Sequence, residues 1–216
     1  MRVGIIGGTG DIGEGIAMRL SSAHFVSIGS REEEKAVYTS ECCFAAVTKM
    51  GLACSVSGCT NQAAVDRSDV VILAIPFRHI EPTLASLTGL EKKIVVSPIN
   101  PMEKRDFFVY TPPPEGSAAL LVKKLLPPGT RVCSAFNTVA ANKWRVFSEE
   151  LDLAVPVCGD DPMAKGVVLD LVRSIPGVKG YDAGPLAASF MVECLTPLLL
   201  NIARFNKMKD VGIQFR

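Results

Sequence analysis

The sequence predicts an α/β fold in which a parallel sheet is doubly wound by helices, and three observations predict it. Short apolar runs alternate with longer segments of helical period. The first run ends in a glycine-rich turn that opens a helix. The chain, 216 residues and 48% hydrophobic, can bury a substantial core yet is too short for a second full-sized domain.

In chain order, strands are expected at about residues 2–6, 25–29, 54–57, 70–75, 93–97 and 131–135, each an apolar run of strand length. Helices are expected between them, near 12–21, 32–49, 61–66, 78–88, 117–126 and 138–147. Residues 98–116 carry Pro98, Pro101 and Pro112-Pro113-Pro114, and read as a long functional or mobile connection leaving the carboxyl end of a strand. After Leu151 a shorter portion follows: a strand at Val155–Cys158, a helix from about Met163 to Ser174, a strand from Val178 to Tyr181 and a long helix from about Leu186 to Phe205. It is long enough to extend the sheet and wall a cleft, and short for an independent domain.

Composition narrows the function. The 23 Lys+Arg balance 22 Asp+Glu for a formal charge of +1, which supplies no field for nucleic acid or a membrane surface. Met1 runs straight into Arg2-Val3-Gly4-Ile5-Ile6, so a cytoplasmic protein without a cleaved leader is expected. The apolar stretch Leu195 to Ala203 is shorter than the roughly 20 residues a bilayer requires and reads as a core helix. Seven cysteines without a Cys-x-x-Cys pair, and only His24 and His79, argue against a metal site; most of the thiols are expected to be small buried hydrophobes.

The glycine-rich turn is Gly8-Thr9-Gly10-Asp11-Ile12-Gly13, a G-x-G-x-x-G directly after Val3–Ile6. In this reading Gly8 permits the tight turn, Gly10 lets backbone approach a pyrophosphate and Gly13 lets helix and strand pack closely. That is the fingerprint of a Rossmann-type dinucleotide site. NAD-selective sites carry a carboxylate about 20 residues on, for the ribose 2′-hydroxyl. Here the second strand ends in Gly29-Ser30-Arg31. Arg31 can pair with a 2′-phosphate, Ser30 can donate to it, and Lys35 lies one helical turn beyond Arg31, so NADP(H) is the expected ligand.

Beyond those motifs, the chain resembles the NADP oxidoreductases that depend on the deazaflavin coenzyme F-420. The resemblance runs through Gly7-Gly8-Thr9-Gly10, Gly29-Ser30-Arg31, Ile94-Val95-Val96-Ser97-Pro98, Val155-Pro156-Val157-Cys158-Gly159-Asp160-Asp161, Asp182-Ala183-Gly184-Pro185-Leu186 and Leu195-Thr196-Pro197-Leu198 with Asn201-Ile202 and Arg204-Phe205-Asn206. It implies that Thr9, Gly10, Asp11 and Ile12 contact the pyrophosphate, that Ser30, Arg31 and Lys35 hold the 2′-phosphate, and that Ala74-Ile75-Pro76 lies beside the nicotinamide. It implies a Rossmann domain at residues 1–150 and a small α/β extension at 151–216 closing the cleft over a stacked deazaflavin. The reaction implied is reversible hydride transfer between the two, which needs ring alignment and water exclusion and no catalytic acid or base. Phe136-Asn137-Thr138-Val139-Ala140-Ala141 is equally similar to the cytosolic NADPH domain of the metalloreductases. An NADPH-dependent flavin, quinone or ferric reductase and a non-catalytic NADPH-sensing module are the alternatives.

Five further expectations concern single residues and short stretches. His79, just past a strand end, either faces the nicotinamide or a phosphate or is a helix-start residue satisfied by backbone. Asn137 either bonds a carboxamide or ring edge or caps the helix before Thr138. Gly159-Asp160-Asp161-Pro162 is a helix cap and not a metal site. Trp144, Phe147 and Phe190 are expected in the core or at subunit contacts, and the face Leu195, Leu198, Leu199 and Ile202 in the core or at the seam of a homodimer or higher homo-oligomer.

Overall fold

The computed structural model describes residues 1–146 and 151–215. Eight strands form one sheet: β1 (Arg2–Ile6), β2 (Phe25–Ser30), β3 (Val56–Thr60), β4 (Val70–Leu73), β5 (Ile94–Ser97), β8 (Arg131–Ser134), β9 (Leu153–Gly159) and β10 (Val178–Asp182). A separate hairpin pairs β6 (Met102–Lys104) with β7 (Phe108–Tyr110). The helices are α1 (Asp11–Leu20), α2 (Glu33–Lys49), α3 (Asn61–Asp66), α4 (Ile80–Ala85), α5 (Ala118–Leu125), α6 (Ala141–Arg145), α7 (Pro162–Arg173), α8 (Ser189–Glu193) and α9 (Leu195–Phe205).

The strand order is β10-β9-β8-β5-β4-β1-β2-β3, so the chain winds outward from β1 to β3 and then crosses back to β4 on the other side of β1. Loops leaving β1 and β4 therefore diverge and leave a crevice at the carboxyl ends of these two strands, where open α/β sheets bind ligands. Period-two alternation splits the core accordingly. Val3, Ile5, Val70 and Ile72 face α1, α2 and α7, whereas Ile6, Val71 and Leu73 face α3, α4 and α5.

The doubly wound architecture and its C-terminal continuation are as the sequence predicts; several details differ. The strand expected at 54–57 lies at Val56–Thr60. β9 runs antiparallel to β8, with Cys133 opposite Gly159 and Ser134 opposite Cys158. A strand buried on both faces reads the same in either direction, so its sequence carries no polarity. The proline-rich connection contains the β6–β7 hairpin, too short for a periodic signal. The helix expected at 138–147 is reduced, among the described residues, to Ala141–Arg145, with Ala140 as its cap; Phe147 lies outside the described residues.

The long C-terminal helix is interrupted. Pro197 lacks an N–H and its ring crowds the carbonyl of Glu193, four residues earlier, where α8 ends. Nor is it the core helix that the sequence suggests. Only Pro197 of α9 is buried, while Leu198 and Phe205 are 53% and 68% exposed. The helical run Leu186–Phe205 spans 20 residues, long and apolar enough to cross a membrane by length and composition alone, which the shorter stretch Leu195–Ala203 did not suggest. Its polar side chains are committed to this fold: Asn201 accepts from Phe108 N at 2.7 Å and donates to Phe108 O at 2.8 Å, holding β7 against α9.

Candidate cofactor site

The chain leaves β1 through Gly7, whose φ of 69° is left-handed and suits glycine alone; Gly7, rather than Gly8, makes the tight turn. Asn61 Oδ1 accepts from Gly7 N at 3.2 Å and Gly8 N donates to Gly29 O at 2.9 Å, tying the loop to α3 and to the end of β2. Gly13 has no room for a side chain, since a Cβ there would meet Gly8 Cα at 2.6 Å. α1 starts at Asp11 with Gly10 as its N-cap and no side-chain cap. Its first amides, without intrahelical acceptors, and its dipole together form an anion-binding terminus.

Beside that terminus lies a recess of ≈ 370 Å³ lined by Gly10, Asp11 and Ile12 after β1, Ala74, Ile75, Pro76 and Phe77 after β4, and Pro98, Ile99 and Asn100 after β5, with Leu73, Met102 and Ala141. Six predicted residues thus meet at the switch point. Asp11 is the one titratable side chain among the lining residues.

A groove of ≈ 480 Å³ brings Thr9 beside Lys35, with Glu34, Tyr38 and Thr39. Ser30 is buried at the tip of β2 and its Oγ accepts from Glu32 N at 3.2 Å, leaving its own hydrogen to donate. Arg31 is exposed there. Lys35 Nζ is 2.7 Å from Glu32 Oε1, an exposed pair that partly neutralises the acidic start of α2. Ser30, Arg31 and Lys35 thus share the end of β2 and the start of α2.

Asn137 is neither a free hydrogen-bonding arm nor a helix cap. Its amide is engaged on both sides within the protein: Oδ1 accepts from Ser134 Oγ at 3.0 Å, and Nδ2 donates to Ile99 O and Asn100 Oδ1, each at 3.2 Å. Its carbonyl accepts from Asn100 Nδ2 at 3.0 Å and Thr196 Oγ1 at 2.6 Å. Phe136, at φ 66°, makes the turn that aims Asn137 inward. Asn100 escaped the sequence reading, although its place right after β5, at the start of the proline-rich connection, could have marked it. A second recess of ≈ 230 Å³ lies between residues 137–142 and α9, and Ala141 walls both cavities.

His79 stands in a 3-10 turn (Phe77–His79), its Nε2 accepting from Arg78 Nε at 3.2 Å, and lines neither recess; the structure does not join it to the site. Asp161 caps α7, accepting from Ala164 N at 2.7 Å, and Asp160 accepts from Leu186 N at 2.9 Å while pairing with Lys123. No cluster of three or more metal-ligating side chains occurs among the described residues. Trp144 is in the core, whereas Phe190 is 47% exposed. Four of the seven cysteines are fully buried, and desolvation pushes the thiols of Cys43 and Cys133 up to about 12, so they stay protonated and inert.

The chain is similar to known proteins over nearly its whole length. The F420-dependent NADP reductase of Methanocaldococcus jannaschii is 36% identical over 220 residues, covering 99% of this chain and 97% of that one. The chain belongs to the F420-dependent NADP reductase family. Residues 2–101 match the family described as "NADP oxidoreductase coenzyme F420-dependent". The reductase of the same name from Methanothermobacter thermautotrophicus is 34% identical over 99% of this chain and 94% of its own. Rat metalloreductase STEAP3 is 30% identical over 98% of this chain, which spans 40% of that protein. In fold, the chain superposes with a TM-score of 0.82 and 20% identity on a crystal structure from Arthrobacter, covering 100% of this chain and 99% of that one.

Proposed function

We infer that this family member is an NADP-dependent oxidoreductase transferring hydride reversibly between NADP(H) and coenzyme F-420, and that the recess at the switch point is where the two rings meet. The observation that carries the reading is the uncapped N-terminus of α1 opening into a recess whose walls come from the ends of β1, β4 and β5. The bound rings supply the redox chemistry.

The protein's part is alignment. The first amides of α1 hold the diphosphate, with Thr9, Gly10, Asp11 and Ile12 around it. Ser30 donates to the 2′-phosphate while Arg31 and Lys35 neutralise it. Ala74, Ile75 and Pro76 form an apolar wall beside the nicotinamide, Pro76 having no N–H to leave unsatisfied. Asn137 supports the floor from behind through Asn100 and Ile99. With Asp11 alone titratable in the lining, and placed at the phosphate end, no side chain is assigned a catalytic proton.

Residues 1–150 form the dinucleotide-binding part in this reading, and residues 151–216 close the cleft, α9 walling the second recess. The exposed apolar face of α9, with Leu198, Ile202 and Phe205, supports a homodimer or higher homo-oligomer. Seven free thiols suit a reducing cytoplasm.

The test is anaerobic spectrophotometry of purified protein with oxidised deazaflavin and NADPH. Stoichiometric bleaching of the deazaflavin as NADPH is consumed is expected. NADPH consumption only with flavin, quinone or ferric chelate would move the activity to the metalloreductase side of the family's relations, and binding without turnover would make the chain a sensor.

A further inference from the structure

Two acidic side chains occupy the first turn of the helix that is to hold a diphosphate. Asp11 is 76% exposed beside the open amides, and Glu14 is 15% exposed one turn along. Carboxylates at a helix N-terminus stabilise the helix but repel an incoming anion. One guanidinium meets both: Arg145 Nη1 lies 3.1 Å from Asp11 Oδ1 and Arg145 Nη2 lies 3.3 Å from Glu14 Oε2.

Arg145 belongs to α6, far along the chain, and α6 is held rigidly on α1. Arg19 is 6% exposed and donates to the carbonyls of Trp144 at 2.9 Å, Lys143 at 3.1 Å and Val146 at 2.5 Å, satisfying the open end of α6. Gly15 lets the helices touch, since a Cβ there would lie 2.3 Å from Trp144 Cβ. α6 is thereby held against α1 so that Arg145 lies within ion-pair distance of Asp11 and Glu14. This placement requires neither a metal nor a second protein.

We propose that Arg145 is a positioning residue for the dinucleotide, holding the carboxylates of Asp11 and Glu14 in ion pairs so that the diphosphate meets α1 amides and not bare negative charge. The proposal rests on reading Gly8–Gly13 as the diphosphate cradle. Because the diphosphate is common to both dinucleotides, Arg145 acts on NADPH and NADH alike, in contrast to Arg31.

The test is titration calorimetry of the full chain with NADPH and with NADH at low and high salt, alongside thermal unfolding. Arg145→Gln is expected to raise both Kd values by the same factor, on the order of tenfold, and by less at high salt. Adding Asp11→Asn and Glu14→Gln to that variant should restore both affinities to within about twofold of wild type. A structural role would not predict this rescue. Unchanged Kd values in a folded Arg145→Gln, or a triple variant as weak as the single, overturns the proposal. If Arg145→Gln fails to fold, Asp11→Asn/Glu14→Gln in the wild-type background decides: severalfold tighter binding of both dinucleotides supports the proposal, and unchanged or weaker binding overturns it. Gly10→Val separates the two readings. If it loses binding while the Arg145 outcomes fail, only the proposal falls; if it binds normally, the cradle itself is misplaced and both fall.

Discussion

Asn100 and Asn137 bond each other twice across the floor of the cleft, Asn137 Nδ2 to Asn100 Oδ1 at 3.2 Å and Asn100 Nδ2 to the Asn137 carbonyl at 3.0 Å. The two residues follow adjacent strands, β5 and β8, so these two hydrogen bonds fix how the loops leave the sheet. Because Asn137 is buried, deleting its amide leaves Ser134 Oγ and Ile99 O without water to replace it. Asn137→Ala is expected to cost about 2–3 kcal/mol of stability, measured by chemical denaturation. The same variant should raise the KM for deazaflavin more than that for NADPH, because the glycine loop and the end of β2 do not touch this network.

At the other end of the site, Arg31 presents the exposed guanidinium at the tip of β2, while the nearby Lys35 is held by Glu32. Arg31→Ala should raise the KM for NADPH by on the order of tenfold or more and leave that for NADH within about twofold. Equal effects on both would remove Arg31 from the 2′-phosphate site. Lys35→Ala is expected to act in the same direction and more weakly, since the ammonium must be shared with Glu32.

Much of this site was legible because its parts are local. Gly7 to Gly13 is one strand–turn–helix unit, and Ser30-Arg31 is the next strand's tip, so spacing alone placed both. Asn137 and Arg145 were not legible in the same way. Whether an asparagine faces a ligand or a neighbour depends on what the fold brings opposite it, here Asn100 and Ile99 from the end of another strand. Arg145 looks like any surface charge until α6 settles on α1 through Gly15 and Arg19. The β6–β7 hairpin and the direction of β9 are likewise set by tertiary pairing, and the exposure of α9 follows from Asn201 spending its polar group on β7 while the apolar residues face outward.

The close approach at Gly13 gives a stability prediction distinct from the binding ones. Gly13→Ala pushes a methyl into Gly8 backbone, so α1 must shift away from the sheet and carry its amides with it. A loss of about 1–3 kcal/mol by chemical denaturation is expected, together with weaker binding of NADPH and NADH alike. A variant as stable as wild type with unchanged affinities would mean that the loop adapts and that the glycine is not required by packing.

Glu193 supplies the pH dependence. It is fully buried, and desolvation pushes its carboxyl up to about 7, even though the amides of Ala118 and Ala119 at 2.8 and 3.0 Å and Tyr110 Oη at 3.1 Å favour the charged form. Protonated, it can donate to Tyr110 Oη, whose hydrogen then turns to Gly116 O, 3.3 Å away. Since the folded state holds the proton more tightly than the unfolded chain, Glu193 contributes stability that is complete below about pH 4.5 and is lost as pH rises to about 7. The clasp joins α8, α5 and β7, so this loss should loosen the hairpin beside the cleft as well as lower the melting temperature. Glu193→Gln cannot titrate and should flatten the melting profile between those two pH values, although one amide hydrogen now faces a backbone N–H and the variant is less stable throughout. A wild-type profile without a decline over that interval, or a Glu193→Gln profile that keeps it, would assign the pH dependence to another group.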